Sequence, residues 1–125
     1  MKKYLVIGNP VEHSLSPQLH NHWIKVENIN AIYEKRKLHR NEIKDLIRDI
    51  KDKKINGINV TVPFKQEVIP YLDELTEQAK KTQSVNTIYL GANGIIGHNT
   101  DIEGFEESLR YVKYDVKDKD VLILG

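Results

Sequence analysis

Tyr4-Leu5-Val6-Ile7-Gly8-Asn9-Pro10, continued by Val11-Glu12-His13-Ser14-Leu15-Ser16-Pro17, is the stretch on which the fold turns. Four consecutive apolar residues stopped by Gly-Asn-Pro read as a strand buried on both faces of a sheet. Serine favours the N-cap, and proline suits the first helical position, where its missing N–H costs nothing. Ser16-Pro17 therefore predicts a helix start. Leu19, Trp23 and Val26 recur at i, i+4 and i+7 and give that helix an expected core side.

Working outward, the strand and helix pattern repeats. Ala31 to Leu38 carries Ile32, Tyr33 and Leu38 among charges, which predicts an edge strand. Asn41 is the expected cap of a helix whose apolar face is Ile43, Leu46, Ile47 and Ile50. Ile58, Val60 and Val62 alternate with Asn59 and Thr61, giving a strand with one apolar and one polar face that Pro63 ends. Short helices are expected over Lys65 to Leu72, distorted by Pro70, and over Thr76 to Thr82. Val85 to Leu90 and Ile95 to His98 flank Gly91-Ala92-Asn93-Gly94 and predict a hairpin.

A further helix follows Thr100, with Ile102, Phe105 and Leu109 on one face. Asp115 to Asp120 reads as a polar linker, and Val121 to Leu124 as a buried parallel strand. The expected fold is α/β, a three-layer α/β/α arrangement on a mixed, mostly parallel sheet. Residues 1–112 form the expected domain. Residues 113–125 are expected to be a linker and the first strand of a second domain, because a buried strand needs a crossover helix behind it.

Composition narrows the function classes. At 125 residues the chain is the size of one ordinary domain. Nineteen basic against eighteen acidic residues leave a formal charge of +1, which gives no field to draw in a polyanion, so nucleic acid is not an expected partner. The absence of cysteine excludes disulfides, a thiol nucleophile and zinc-thiolate or iron-sulfur sites. Apolar runs such as Tyr4 to Ile7 are far shorter than the ~20 residues that span a bilayer, and this first one stops at Gly8, before a signal-peptide core could form. A cytoplasmic enzyme or binding domain, with no membrane partner, is the expectation.

Three polar groups stand out. Ser14 and Ser16 bracket a helix start, where hydroxyls and free N–H groups suit an anion; by spacing alone an N-cap and a loop residue are the favoured reading. Asn59 and Thr61 share a polar strand face with Lys65 just beyond, at the strand end where open α/β sheets bind ligands; by spacing alone backbone satisfaction and a solvated lysine are the favoured reading. Asn86 and Asn99-Thr100-Asp101 lie at the two ends of the hairpin, and Asp101 could either cap the next helix or pair with Lys65 as a proton-transfer dyad. The five histidines lack metal-ligand spacing and are expected in solvated or loop positions. That spacing leaves no metal site expected, and Gly91, Gly94 and Gly97, with no following G-K-S/T, indicate no phosphate-binding loop.

Taken together, Val6-Ile7-Gly8-Asn9-Pro10 through His13-Ser14-Leu15-Ser16-Pro17 to His20-Asn21, then Asn59-Val60-Thr61-Val62-Pro63-Phe64-Lys65, Val85-Asn86-Thr87, and Gly97-His98-Asn99-Thr100-Asp101 with Gly104-Phe105, resemble the shikimate dehydrogenase family in order and spacing. The resemblance covers essentially the whole chain and implies its substrate-binding domain plus the first strand of an NADP-binding domain. It implies NADPH-dependent reduction of 3-dehydroshikimate to shikimate, a step of aromatic amino-acid biosynthesis. Carried over by motif, Ser14 and Ser16 hold the substrate carboxylate; Thr61, Lys65, Asn86 and Asp101 hold ring oxygens, supported by Asn59. Lys65 then acts as proton donor with Asp101 orienting it, and Gly125 begins the cofactor's glycine-rich turn.

Gln83-Ser84 departs from the Gly-Ala usual in the family, so the backbone beside Asn86 is expected to differ locally. Two other readings stay open: a dehydrogenase that also takes quinate or uses NAD, and a stand-alone binding module for a polyhydroxy carboxylate. A homodimer is compatible with either.

Overall fold

Alternation along the strands decides how the sheet is covered. A computed structural model describes residues 1–124. Its elements are β1 (Lys2–Gly8), α1 (Ser16–Val26), β2 (Ala31–Lys37), α2 (Ile43–Lys51), β3 (Gly57–Val60), β4 (Glu74–Leu75), α3 (Glu77–Thr82), β5 (Thr87–Leu90), β6 (Ile95–His98) and α4 (Asp101–Tyr111). The strands form one sheet in the order β2-β1-β3-β5-β6-β4. β1 runs parallel to β2 and β3, β5 is antiparallel to both β3 and β6, and β4 is parallel to β6. This is the expected α/β architecture on a mixed sheet, with helices on both faces.

Two successive reversals, at β5 and again at β6, leave β6 pointing the same way as β1 and β3. The carboxyl ends of β1, β3 and β6 and the amino end of β5 therefore meet along one edge of the sheet. One face carries the main core: Leu5, Ile7, Ile58, Val60, Ile88 and Ile95 pack with Ile43, Leu46, Ile47 and Ile50 of α2 and Ala79 of α3. The α2 residues fall at i, i+3, i+4 and i+7, so the whole apolar stripe is buried. The other face holds a smaller cluster, Val6, Val11 and Tyr33, against Ile24 of α1.

Several local expectations are corrected. Ser16 is the first residue of α1 and not its cap; Leu15 occupies the cap position, and the Ser14 Oγ accepts the Ser16 N–H at 3.3 Å. Leu19, Trp23 and Val26 are exposed, because α1 turns Ser16, His20, Asn21 and Ile24 inward instead. Asn21 replaces apolar burial with a two-bond clamp on β2: its Nδ2 donates to Tyr33 O at 2.7 Å and its Oδ1 accepts from Tyr33 N at 3.0 Å. Asn41 lies within a 3₁₀ turn, Arg40–Glu42, that leads into α2, and the Glu42 carboxylate takes the His39 N–H.

Lys65 to Leu72 forms turns and a 3₁₀ helix, Ile69–Tyr71, in place of an α-helix. Pro70 has no N–H to give, and the Lys65 carbonyl is taken by the Val85 N–H at 2.8 Å, so Ile69 bonds back to Gln66. β4 is a two-residue strand that no sequence pattern announced. Val85 and Asn86 precede β5 and are not part of it. α4 buries none of its residues, so Ile102, Phe105 and Leu109 make no core face. Val121 to Leu124 form no strand and are exposed. A strand needs a hydrogen-bonding neighbour, and none of the described strands pairs with them. Gly125 lies outside the described residues.

The stability consequences differ sharply between the two ends of this fold. Removing the chain from Lys119 onward is expected to change the unfolding free energy by less than about 0.5 kcal/mol. Ile88→Ala, at a fully buried position in the central sheet, is expected to cost about 2 to 5 kcal/mol. Urea unfolding of the two variants measures both.

Candidate active site

The sheet edge where β1, β3 and β6 end opens into a concavity of about 420 Å³ walled by Ser16, Asn59, Thr61, Lys65, Asn86 and Asp101. Ser14 lies in an adjoining hollow that shares Ser16 and Thr61 with it. The residues singled out from sequence thus come together from four chain segments, with Gly125 alone outside the described residues. An apolar groove of about 390 Å³ lies beside it, walled by Tyr4, Ile24 and Tyr89 among others. That groove shares His20, Asn59 and Thr87 with the polar concavity, and only the concavity holds both Lys65 and Asp101.

Each side chain is held for an identifiable reason. Asn59 sits on β3 between Ile58 and Val60; the period of two that buries those neighbours turns it to the opposite face. Thr61 follows, and its N–H bonds to Ile7 O at 2.9 Å, which ties the end of β3 to β1. Lys65 is fixed through its carbonyl bond from Val85, and its Nζ meets Asp101 Oδ2 at 2.7 Å.

Asp101 is free to do this because it does not cap α4. The buried Asn99 does so in its place: its Oδ1 accepts the N–H groups of Asp101 at 2.8 Å and Ile102 at 3.3 Å. Asn86 Nδ2 donates to Asp101 Oδ1 at 3.0 Å and to Thr100 Oγ1 at 2.7 Å, so both oxygens of the carboxylate are engaged. The departure at Gln83-Ser84 is visible here. Gln83 takes a left-handed conformation at the end of α3, φ 49°, which glycine would adopt freely. Ser84 O accepts from Asn99 Nδ2 at 2.9 Å, so the altered segment still supports the cap of α4.

Two residues that sequence reasoning missed join the site. Tyr33, read only as part of an edge strand, is buried and donates its hydroxyl to Asn59 Oδ1 at 2.6 Å. His20, expected to be solvated, is half-buried, lines the concavity and stacks on Tyr33 with ring centroids 4.2 Å apart and planes 7° apart. Burial lowers the His20 pKa, and the neutral imidazole suits a stacked position. His98 also has a partner, Thr76 Oγ1 at 2.8 Å. No periodicity marks Tyr33 as a site residue, since its reach across the sheet depends on the strand order. Among the described residues no His, Asp and Glu group could hold a metal ion, and none of the helices is long and apolar enough to cross a membrane.

The pattern of a substrate-binding domain is matched directly by the family model for the shikimate dehydrogenase substrate binding domain, over residues 6–88. The chain belongs to this family. A shikimate dehydrogenase (NADP(+)) of Pelagibacter ubique is 60% identical over 124 residues, 99% of this chain and 47% of the relative. Among solved structures, shikimate dehydrogenase 1 of Peptoclostridium difficile superposes with a TM-score of 0.86 at 35% identity, over 93% of this chain and 44% of that one. Shikimate 5-dehydrogenase of Thermus thermophilus, solved in complex with NADP(H) and shikimate, gives a TM-score of 0.80 at 29% identity, over 94% and 44%. The chain spans about half the length of the curated relatives it matches.

Burial pushes the Tyr33 hydroxyl up to about 12, with the Ser16 hydroxyl beside it acting weakly the other way. The folded state keeps this proton through the range where an unfolded tyrosine loses it, so stability falls as pH rises from about 10 to 12. Below pH 10 the wild type is expected to exceed Tyr33→Phe in stability by a constant margin. That margin should shrink by on the order of 2 kcal/mol as the pH approaches 12. Urea unfolding of both proteins across this range measures the difference.

Proposed function

We propose that this chain forms the substrate-binding and proton-transfer half of an NADP-dependent shikimate dehydrogenase, which reduces 3-dehydroshikimate to shikimate. The observation that carries the reading is the Lys65–Asp101 pair at 2.7 Å inside a polar concavity at the carboxyl ends of the strands. The cofactor supplies a hydride to the carbonyl carbon. As it arrives the carbonyl oxygen becomes an alkoxide, which requires a cation or acid within hydrogen-bond reach. The Lys65 ammonium supplies both charge and proton, and Asp101 fixes where it points. Running the reaction backwards, neutral Lys65 takes the hydroxyl proton as hydride leaves.

In this reading Ser14 and Ser16 meet the substrate carboxylate at the start of α1, where N–H groups and the helix dipole add favourable charge. Thr61, Asn86 and Asp101 meet ring hydroxyls, and Asn59 braces Asn86. Residues 1–112 serve as the catalytic domain, with 113–125 leading to a cofactor domain. By its motif, Gly125 begins the glycine-rich turn of that cofactor domain.

The test is the full-length gene product with 3-dehydroshikimate, followed by loss of NADPH absorbance. Lys65→Ala is expected to lower kcat by roughly 10²- to 10⁴-fold, the usual worth of a positioned general acid, with a smaller change in KM. Asp101→Ala should act in the same direction and less than additively with it, since the two groups work as a unit. A Lys65→Ala enzyme with intact kcat and weakened binding alone would make Lys65 a ligand and not the acid.

The serines are separable by pairing binding with melting. A hydrogen bond to a charged group contributes ~1.5 to 3 kcal/mol, so Ser14→Ala and Ser16→Ala should each weaken shikimate binding by roughly 10- to 150-fold. Shikimate methyl ester, which lacks the charge, should lose much less. Only Ser14 accepts a backbone N–H at the helix start, so only Ser14→Ala should lower stability, by about 0.5 kcal/mol. Equal losses for acid and ester would sink the carboxylate assignment.

A further inference from the structure

Tyr33, which lines the neighbouring groove, starts a directed hydrogen-bond chain through Asn59, Thr87, Asn86 and Asp101 of the concavity. Tyr33 Oη donates to Asn59 Oδ1 (2.6 Å), and Asn59 Nδ2 donates to Thr87 Oγ1 (3.2 Å). Thr87 Oγ1 donates to Asn86 Oδ1 (3.0 Å), and Asn86 Nδ2 donates to Asp101 Oδ1 (3.0 Å), whose other oxygen holds Lys65. Asn59, Thr87 and Asn86 each accept on one side and donate on the other, so the protons run from Tyr33 toward the carboxylate.

The direction is forced at Asn59. Its second partner is the Asn86 carbonyl, 3.3 Å from Nδ2. A carbonyl can only accept, so the amide nitrogen must face Asn86 and the amide oxygen must face Tyr33. Tyr33 is then the donor that matches this orientation. It reaches Asn59 from β2 across β1, passing over Val6, because in the order β2-β1-β3 the two residues lie two strands apart. Stacking on His20 fixes the ring that makes this reach.

We propose that Tyr33 is a positioning residue that orients the Asn59 amide and, through Thr87 and Asn86, the carboxylate of Asp101 that holds Lys65. Its catalytic consequence rests on the function proposed above; its effect on Asn59 does not. Hydrogen bonds in such a chain polarise one another, so loss of the first donor weakens the alignment of the last acceptor.

The experiment has two arms, both on the full-length gene product. In the kinetic arm, Tyr33→Phe is expected to lower kcat/KM for shikimate about fivefold, the worth of one hydrogen bond of average strength. In an Asn59→Ala background the same substitution should change kcat/KM less than about twofold, because the residue it acts through is gone. Tyr89→Phe, on the same sheet face but outside the chain, should change nothing. Equal losses in both backgrounds, or no loss in either, overturn the proposal.

In the spectroscopic arm, the Asn59 side-chain amide protons should shift and exchange faster with water in Tyr33→Phe, observed by ¹⁵N-resolved NMR. In the wild type, a slowly exchanging Tyr33 hydroxyl proton with a through-space contact to Asn59 is expected, and this needs no variant to fold. An unchanged Asn59 amide, or a freely exchanging Tyr33 hydroxyl, overturns the positioning role. A wild type inactive on shikimate would instead sink the proposed function, while the spectroscopic arm still decides Tyr33.

Discussion

The structure depends on a single constraint in β3, the strand at which the sheet changes direction. Ile58 and Val60 are nearly inaccessible in the main core, and the period of two leaves Asn59 facing the other way. A slip of one residue in its pairing with β1 or β5 would place an amide in the core and two aliphatic chains in the concavity. Burial of those side chains therefore fixes the register, and the register fixes where Asn59, Thr61 and Lys65 emerge. Because β5 runs back against β3, Asn86 and Thr87 return to the same edge, and β6 then delivers Asn99, Thr100 and Asp101 beside them.

The Lys65–Asp101 pair adds little to the stability of this arrangement. Lys65 is one-third exposed and Asp101 about half, and ion pairs so open to water contribute about 0 to 1 kcal/mol. The surrounding hydrogen bonds matter more for geometry. Two donors, Lys65 Nζ and Asn86 Nδ2, pin separate oxygens of one carboxylate. The helix that begins at Asp101 is capped by a different residue, which leaves that carboxylate available. Had Asp101 served as the cap, its oxygens would point at backbone N–H groups and Lys65 would have no partner at the right place.

The strands and the long amphipathic helix were legible in the sequence because burial leaves a periodic trace. Tyr4 to Ile7, Ile58 to Val60, the hairpin around Gly94 and the face of α2 all follow from that periodicity, and Gly94 at φ 140° marks the turn. Motif residues were legible as a set and ambiguous one at a time, since Ser16, Asn99 and Asp101 each suit a cap as well as a ligand. The cap assignments failed for this reason: exchanging which of three neighbouring polar residues takes the N–H groups changes little in local propensity. The helix over Lys65 to Leu72 failed because the carbonyl it needed is claimed by Val85, twenty positions away in the chain. Tyr33 could not be found at all without the strand order that brings it within reach of Asn59.

The inversion of α1 shows how far a site can override the usual rule for amphipathic helices. Three of its four large apolar side chains, Leu19, Trp23 and Val26, face outward, only Ile24 packs inward, and it buries none of its residues fully. Ile24 is thus the only large apolar contact this helix makes with the sheet, far short of a buried stripe. Asn21 adds paired hydrogen bonds to the backbone of Tyr33, which rotation of the helix about its axis would break. Any such rotation toward the apolar side would bring Leu19 and Trp23 onto the sheet and carry Ser16 and His20 out of the concavity. The polar clamp thus holds the helix in the one orientation that presents its first turn to the site, and the same tyrosine that receives the clamp through its backbone reaches Asn59 through its side chain. Position of the helix and alignment of the polar chain are consequently set at one residue of β2.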